Sequence, residues 1–145
     1  MSETRTFFAS STVTVNALLH DLWAMWVDVN AWDSWDSSID STEMRENFKA
    51  GTTFVLTPKG AEPTRVTITT VSQGEEFSDE AVLPFGTIRK SHRLEPFGEL
   101  VKVTHEIEAE INSDHAPLFS KSVWPGMQLN LSESLNEMID IARTD

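Results

Sequence analysis

His92, His105 and Lys90 are the residues whose types and spacing can do chemistry in this chain. His92 shares the parity of Ile88 and Leu94. His105 shares that of Val101, Val103, Ile107 and Ala109, and the two runs read as neighbouring strands. Side chains alternate across a strand, so both imidazoles and Lys90 fall on an apolar face. A pure core would not choose them, because buried polar groups are costly without partners. A polar spot in an apolar wall is how small-molecule sites are built. Imidazole also titrates near neutrality, so it can give or take a proton beside a reacting carbon. The plainer alternative is that each histidine bonds to backbone while Lys90 extends its ammonium past the sheet edge. A turn centred on Phe97-Gly98 sets Leu94 near Val101 and Lys90 near His105. Glu46, inward by parity in a run that starts at Ser41, is the candidate to orient an imidazole.

Other chemistries find little support. Asp28, Asp33, Asp36 and Asp40 lack the glycine and terminal glutamate of a calcium loop, and they suit helix caps and a solvated face. No His/Cys/Asp set has zinc spacing, so no metal or cofactor is expected. There is no cysteine, hence no thiol nucleophile or disulfide framework. Ser10-Ser11 and Ser37-Ser38 lack the context of a nucleophile elbow. The formal charge of −12 argues against nucleic acid and anionic membrane as partners. No apolar run is long enough to span a bilayer, so a cytoplasmic protein without membrane insertion is expected, as monomer or homodimer. At 145 residues, a single domain over 1–145 is the simplest organisation.

The elements that must position these groups follow from period. Arg5 to Val15 reads as a strand with Phe7, Ala9, Val13 and Val15 on one face. Asn16 is placed to cap a helix whose stripe is Leu18, Leu19, Leu22, Trp23 and Trp26. Asp28 or Asn30 can cap a second short helix carrying Trp32 and Trp35. Trp26, Trp32 and Trp35 are three of the five tryptophans and fall within ten residues. Trp35 is expected to anchor that helix on the core. Period-two runs then extend from Ser41 to Ile111, punctuated at Ala50-Gly51, Pro58–Pro63, Gln73-Gly74, Pro84–Gly86 and Pro96–Glu99. Short Gly/Pro turns between successive strands make an antiparallel meander. After Pro117 the period returns to 3.6, with Trp124, Met127, Leu131, Leu135, Met138 and Ala142 on one stripe. Pro125-Gly126 is expected to break or kink it, leaving a main helix over about 126–142.

The order is strand, two short helices, six strands and a long helix, an α+β class. With Trp32-x-x-Trp35-Asp36, Phe48-x-x-Gly51 and the terminal amphipathic helix, the chain resembles the START-like (SRPBCC) helix-grip superfamily. That superfamily includes polyketide cyclases/dehydratases, lipid-transfer domains and plant hormone-binding proteins. The resemblance implies a seven-stranded antiparallel sheet curved around the long C-terminal helix, with two short helices after strand 1 and a cavity between. It implies a small apolar or aromatic, lipid- or polyketide-like ligand. The alternative is a cyclase, aromatase or dehydratase using His92 or His105 as acid/base. A third possibility, a protein-interaction module, needs a large exposed apolar patch that the charge gives no sign of. Parity assigns Phe54, Leu56, Val66, Ile68, Lys90, His92, Val103, His105 and Ile107 to the cavity wall, with Trp124 and Met127 closing it from the helix. Phe85, at the Pro84–Gly86 bend, is a lid candidate. His92-Arg93-Leu94 matches the latch triplet of the hormone receptors but lies inside a strand, not on a loop.

Overall fold

The computed structural model describes residues 3–143. Within them, seven strands form one antiparallel sheet: β1 (Thr4–Val15), β2 (Ile39–Glu43), β3 (Thr53–Pro58), β4 (Thr64–Ser72), β5 (Glu76–Leu83), β6 (Gly86–Phe97) and β7 (Leu100–Asn112). Their order across the sheet is β1-β7-β6-β5-β4-β3-β2. Helix α1 (Leu19–Val27) and a 3-10 helix (Val29–Ser34) separate β1 from β2, and α2 (Ala116–Ser122) and α3 (Trp124–Ala142) follow β7. This is the helix-grip arrangement. The inner sheet face and α3 share one core, in which Leu135, Met138 and Ile139 join Phe54, Phe77, Leu94 and Val103. A smaller cluster around Phe7, Ile111, Phe119 and Trp124 fills the other end.

Four local expectations change. Helix α1 begins at Leu19, where the Leu18 carbonyl accepts from the N–H groups of Asp21 and Leu22; Asn16 lies outside this first turn. The strand expected from Ser41 through Phe48 ends at Glu43. There the Asn30 amide takes over the backbone of Met44, donating to its carbonyl at 3.0 Å and accepting from its N–H at 2.7 Å. Met44 has no ladder bond left to make, and Glu46 falls in an exposed irregular stretch outside the sheet. The helical break falls at Val123, not at Pro125-Gly126. Pro125 sits in the first turn of α3, where its missing N–H costs nothing.

The fourth change bears on the site. The β6–β7 hairpin turns on Gly98-Glu99, with Phe97 opposite Leu100. Gly98 has φ +64°, the left-handed backbone that a two-residue hairpin with glycine first requires. This moves the register two residues from a turn centred on Phe97-Gly98. A two-residue slip keeps every side chain on its face but changes its neighbour. His92 therefore stands directly opposite His105, and Lys90 opposite Ile107.

Candidate functional site

The inner face of β5, β6 and β7 is a set of cross-strand rows. Ala81, Ile88 and Ala109 form an apolar row. The next row is Asp79, Lys90 and Ile107, and the one after it Phe77, His92 and His105. Directly opposed residues have Cβ atoms about 4.5–5.5 Å apart, so each row is a line of touching side chains. On β4 an extra residue bulges between Ile68 and Thr70, opposite Ser78-Asp79. Such bulges bend a strand and re-aim the side chains beside it.

A cavity of about 320 Å³ opens over these rows, near the small end of the range of about 300–1,000 Å³ for small-molecule sites. Its far wall is the end of the 3-10 helix and the turn after it, through Trp32, Trp35, Asp36 and Ser38. Its roof is the face of α3 bearing Met127, Leu131 and Ser134. The turn is fixed twice. Asp36 Oδ1 accepts from the Ser38 N–H at 3.0 Å and its hydroxyl at 2.6 Å. The Ser37 hydroxyl donates to Glu137 of α3 at 2.8 Å, and the Ser37 N–H also points to that carboxylate.

Of the residues expected at the wall, Phe54, Leu56, Val66, Lys90, His92, His105, Ile107 and Met127 line the cavity. Ile68 and Val103 share the correct face but are sealed completely in the packed core. Trp124 starts the α3 stripe one turn too early to reach the cavity. It packs instead on Phe7 and Phe119, with ring centres 5.5 and 6.0 Å away. Phe85 is half-buried against Phe119 at 6.2 Å, so it belongs to the second core cluster. Beside it, Gly86 is required by close approach: an added Cβ would lie 2.3 Å from the Glu110 carbonyl oxygen. His92-Arg93-Leu94 lies inside β6. The tryptophan that anchors the 3-10 helix is Trp32, buried and donating its indole N–H to the Trp26 carbonyl at 3.1 Å. Trp35 is half-buried on the cavity wall.

Trp26, Asp36 and Asp79 are among the lining residues that were not expected at the wall. Trp26 lies on α1 and packs its ring against both histidines, 5.5 Å from His92 and 5.7 Å from His105. Asp36 follows the 3-10 helix, where no period indicates direction. Asp79 was legible, since it shares the parity of Phe77 and Ala81 on β5.

The polar row is electrostatically unusual. His92 stacks on Phe77 at 4.0 Å with the rings 3° from parallel, and the two imidazoles meet edge to face at 5.1 Å. A carbonyl only accepts, so His92 Nδ1–H donates to the Phe77 carbonyl at 3.3 Å, and Nε2 is left as an acceptor. Burial holds His92 well below the ordinary imidazole range, helped by His105 and Lys90 and opposed by the Phe77 carbonyl. Burial, aided by Lys90 and opposed by Asp36, pushes His105 down to about 4. Both rings are therefore neutral at neutral pH. Asp79 moves the other way: burial raises its carboxyl to about 7 against the pull of Lys90. His105 Nε2 and the indole nitrogens of Trp26 and Trp35 have no hydrogen-bond partner among the described residues. Lys90 is the exposed member of the set, so its ammonium keeps water where the cavity opens. Among the described residues no cluster of three metal-ligating side chains occurs, and no helix is long and apolar enough to cross a membrane.

The fold recurs in solved structures. A hypothetical protein of Helicobacter pylori superimposes with TM-score 0.81 at 14% identity, over 94% of this chain and 88% of that one. A START superfamily protein of Mycobacterium smegmatis gives 0.72 at 13% identity, over 92% and 97%. The di-domain ARO/CYC protein StfQ of steffimycin biosynthesis gives 0.79 at 15%, over 94% of this chain and 50% of its own. At these identities the likeness is one of fold. No curated protein matches the chain in sequence. The family pattern described as polyketide cyclase/dehydrase and lipid transport matches residues 7–140, from the inner face of β1 to the last turns of α3, and it is to this family that the chain belongs.

Proposed function

We propose that the chain binds a small, mostly apolar or aromatic molecule, lipid- or polyketide-like, between the sheet and α3. Phe54, Leu56, Val66, Ile107 and Met127 form the apolar wall, and the ligand's oxygen atoms face Lys90, His92 and His105. The observation that carries this is the cavity of about 320 Å³ with largely apolar walls and two adjacent rows that bring Asp79, Lys90, His92 and His105 to it. Apolar burial supplies affinity and the few polar groups supply orientation. A cyclase, aromatase or dehydratase that uses His92 or His105 as its acid/base fits less well. Both imidazoles sit far below neutrality in proton affinity, whereas an efficient general base lies near the working pH.

Titration with 2-acetylnaphthalene, followed by quenching of the cavity tryptophans, tests the binding. Quenching should saturate in the wild type and disappear in Met127→Trp, where the larger ring fills the cavity. The melting temperature of that variant should fall by no more than a few degrees. His92→Phe should weaken binding with the fold intact, since the ring volume stays and the hydrogen bond goes. Binding unaffected by the cavity-filling substitution would place the ligand elsewhere.

A further inference from the structure

We propose that Asp79 and Lys90 form a proton-transfer pair in this cavity, acting on a bound ketone that carries a hydrogen on the carbon beside its carbonyl. This rests on the cavity being a ligand site and goes beyond it by naming the reacting group and the substrate class.

The geometry carries the assignment. Asp79 and Lys90 are direct partners across β5 and β6, both on the inner face, and both line the cavity. Asp79 is 6% exposed, and on its other side stands Ile68, at the β4 bulge. A buried carboxylate kept for structure collects hydrogen bonds. Asp36 does so, through Ser38. Asp79 makes no hydrogen bond and no close ion pair among the described residues, and the charge that acts on it is that of Lys90. The other titratable groups lining the cavity with it are Lys90 and His92 from β6, His105 and Glu106 from β7 and Asp36 beyond the 3-10 helix, while α3 brings the uncharged Asn130 and Ser134. Its proton affinity agrees with the geometry. Raised to about 7, it is present in both forms near neutrality, as a group that takes and returns a proton must be.

The step balances within the site. An ionised Asp79 oxygen forms its O–H bond as the carbon–hydrogen bond breaks. That electron pair becomes the new carbon–carbon double bond, and the carbonyl π pair moves onto oxygen. The resulting enolate oxygen lies beside the Lys90 ammonium, whose charge is placed where charge develops. In the reverse direction the Asp79 carboxyl returns a proton to carbon, and no other reactant is consumed.

Exchange of the C1 hydrogens of 2-tetralone in deuterated buffer, read by proton NMR, isolates this step. The full chain should exchange them about 10²–10⁴-fold faster than Asp79→Asn does. The rate should rise with pH through an inflection near 7 and then level. Lys90→Met should slow exchange about tenfold or more while tetralone still quenches the tryptophans. Should Asp79→Asn fail to fold, Lys90→Met carries the test, since Lys90 is a solvated position. Wild-type-rate exchange in that variant would overturn the pair. Tetralone that binds yet exchanges no faster than with Asp79→Asn overturns the proton transfer and leaves the binding function standing. Tetralone that does not bind overturns both.

Discussion

Arg89 and Lys90 are neighbours on β6 and face opposite ways, and the two sides of the sheet treat charge differently. Outside, Arg89 donates to Glu80, Glu108 and Glu110 at 3.1, 3.0 and 3.3 Å. Arg93 pairs with Glu106 and lies 3.9 Å from Glu95. Inside, Asp79 and Lys90 stand opposite each other without a hydrogen bond, beside two neutral imidazoles. The outer charges are met by several partners and by water. Asp79, His92 and His105 are buried while Lys90 reaches water, and a desolvated carboxyl or imidazole moves toward its uncharged form. A chain with 23 acidic and 11 basic residues has cause to set arginines among crowded outer carboxylates. That reason does not extend to an acid buried in the cavity.

Phe77→Ala should have the largest effect. Phe77 is fully buried, stacks on His92 and meets Trp26 and Phe48 edge-on at 5.6 and 5.1 Å. Truncating a buried phenylalanine costs about 3–5 kcal/mol, measurable by urea unfolding. Water admitted at the vacated site should also move the His92 pKa back toward 6.5, visible in an NMR titration. A loss below about 1 kcal/mol, outside that range, would mean that the inner row is not held by packing.

Asp79→Asn comes next, and its sign depends on pH. Asp79 ionises near 3.8 when unfolded and near 7 when folded. Below the lower value both states are protonated and the residue costs nothing. Between the two the folded state binds more protons, so stability falls as pH rises, and above 7 the loss is complete. At about 1.4 kcal/mol per unit the ceiling is about 4 kcal/mol, less where cavity water relieves the charge. Asparagine does not titrate. The variant should therefore gain on the wild type steadily from pH 4 to 7 and hold that gain at pH 8. His105 contributes oppositely in the same window, since its folded pKa is lowered to about 4 and stability is lost as pH falls from 6.5. The difference between variant and wild type removes that common part. A flat difference across pH 4–8 would show Asp79 to be solvated.

Most of this architecture could be read from period, because period is set by the backbone. Alternation gave the inner faces of β3, β4, β6 and β7, and the 3.6 spacing after Pro117 gave the closing helix. Neighbours were harder. Parity cannot distinguish registers two residues apart, so placing His92 against His105 needed the positive φ of Gly98. Depth was harder again: Ile68 and Leu56 have equal parity, yet one is sealed in the core and the other lines the cavity. The strand end at Glu43 depended on a side chain from another element, Asn30, which no local pattern records. Trp26 enters the site from α1 because its ring is long enough to cross the core to β6 and β7.

Arg89→Met should have the smallest effect and sharpens the contrast most. Arg89 keeps 42% of its side chain in water and its three partners keep 33–46%. Exposed pairs contribute about 0–1 kcal/mol each and share one arginine here, and the methionine stem preserves the packing over the sheet. The loss comes chiefly from leaving Glu80, Glu108 and Glu110 together without a cation. That repulsion is screened, since the Debye length shrinks from about 30 Å at 0.01 M salt to about 3 Å at 1 M. The destabilisation measured by urea unfolding should therefore be about 1 kcal/mol at low salt and fall by half or more at 1 M. The pH-dependent gain of Asp79→Asn arises from desolvation and should hardly respond to the same salt. Equal salt sensitivity in the two variants would mean that water and ions reach Asp79 as freely as Arg89, and the two faces of β6 would then be electrostatically alike.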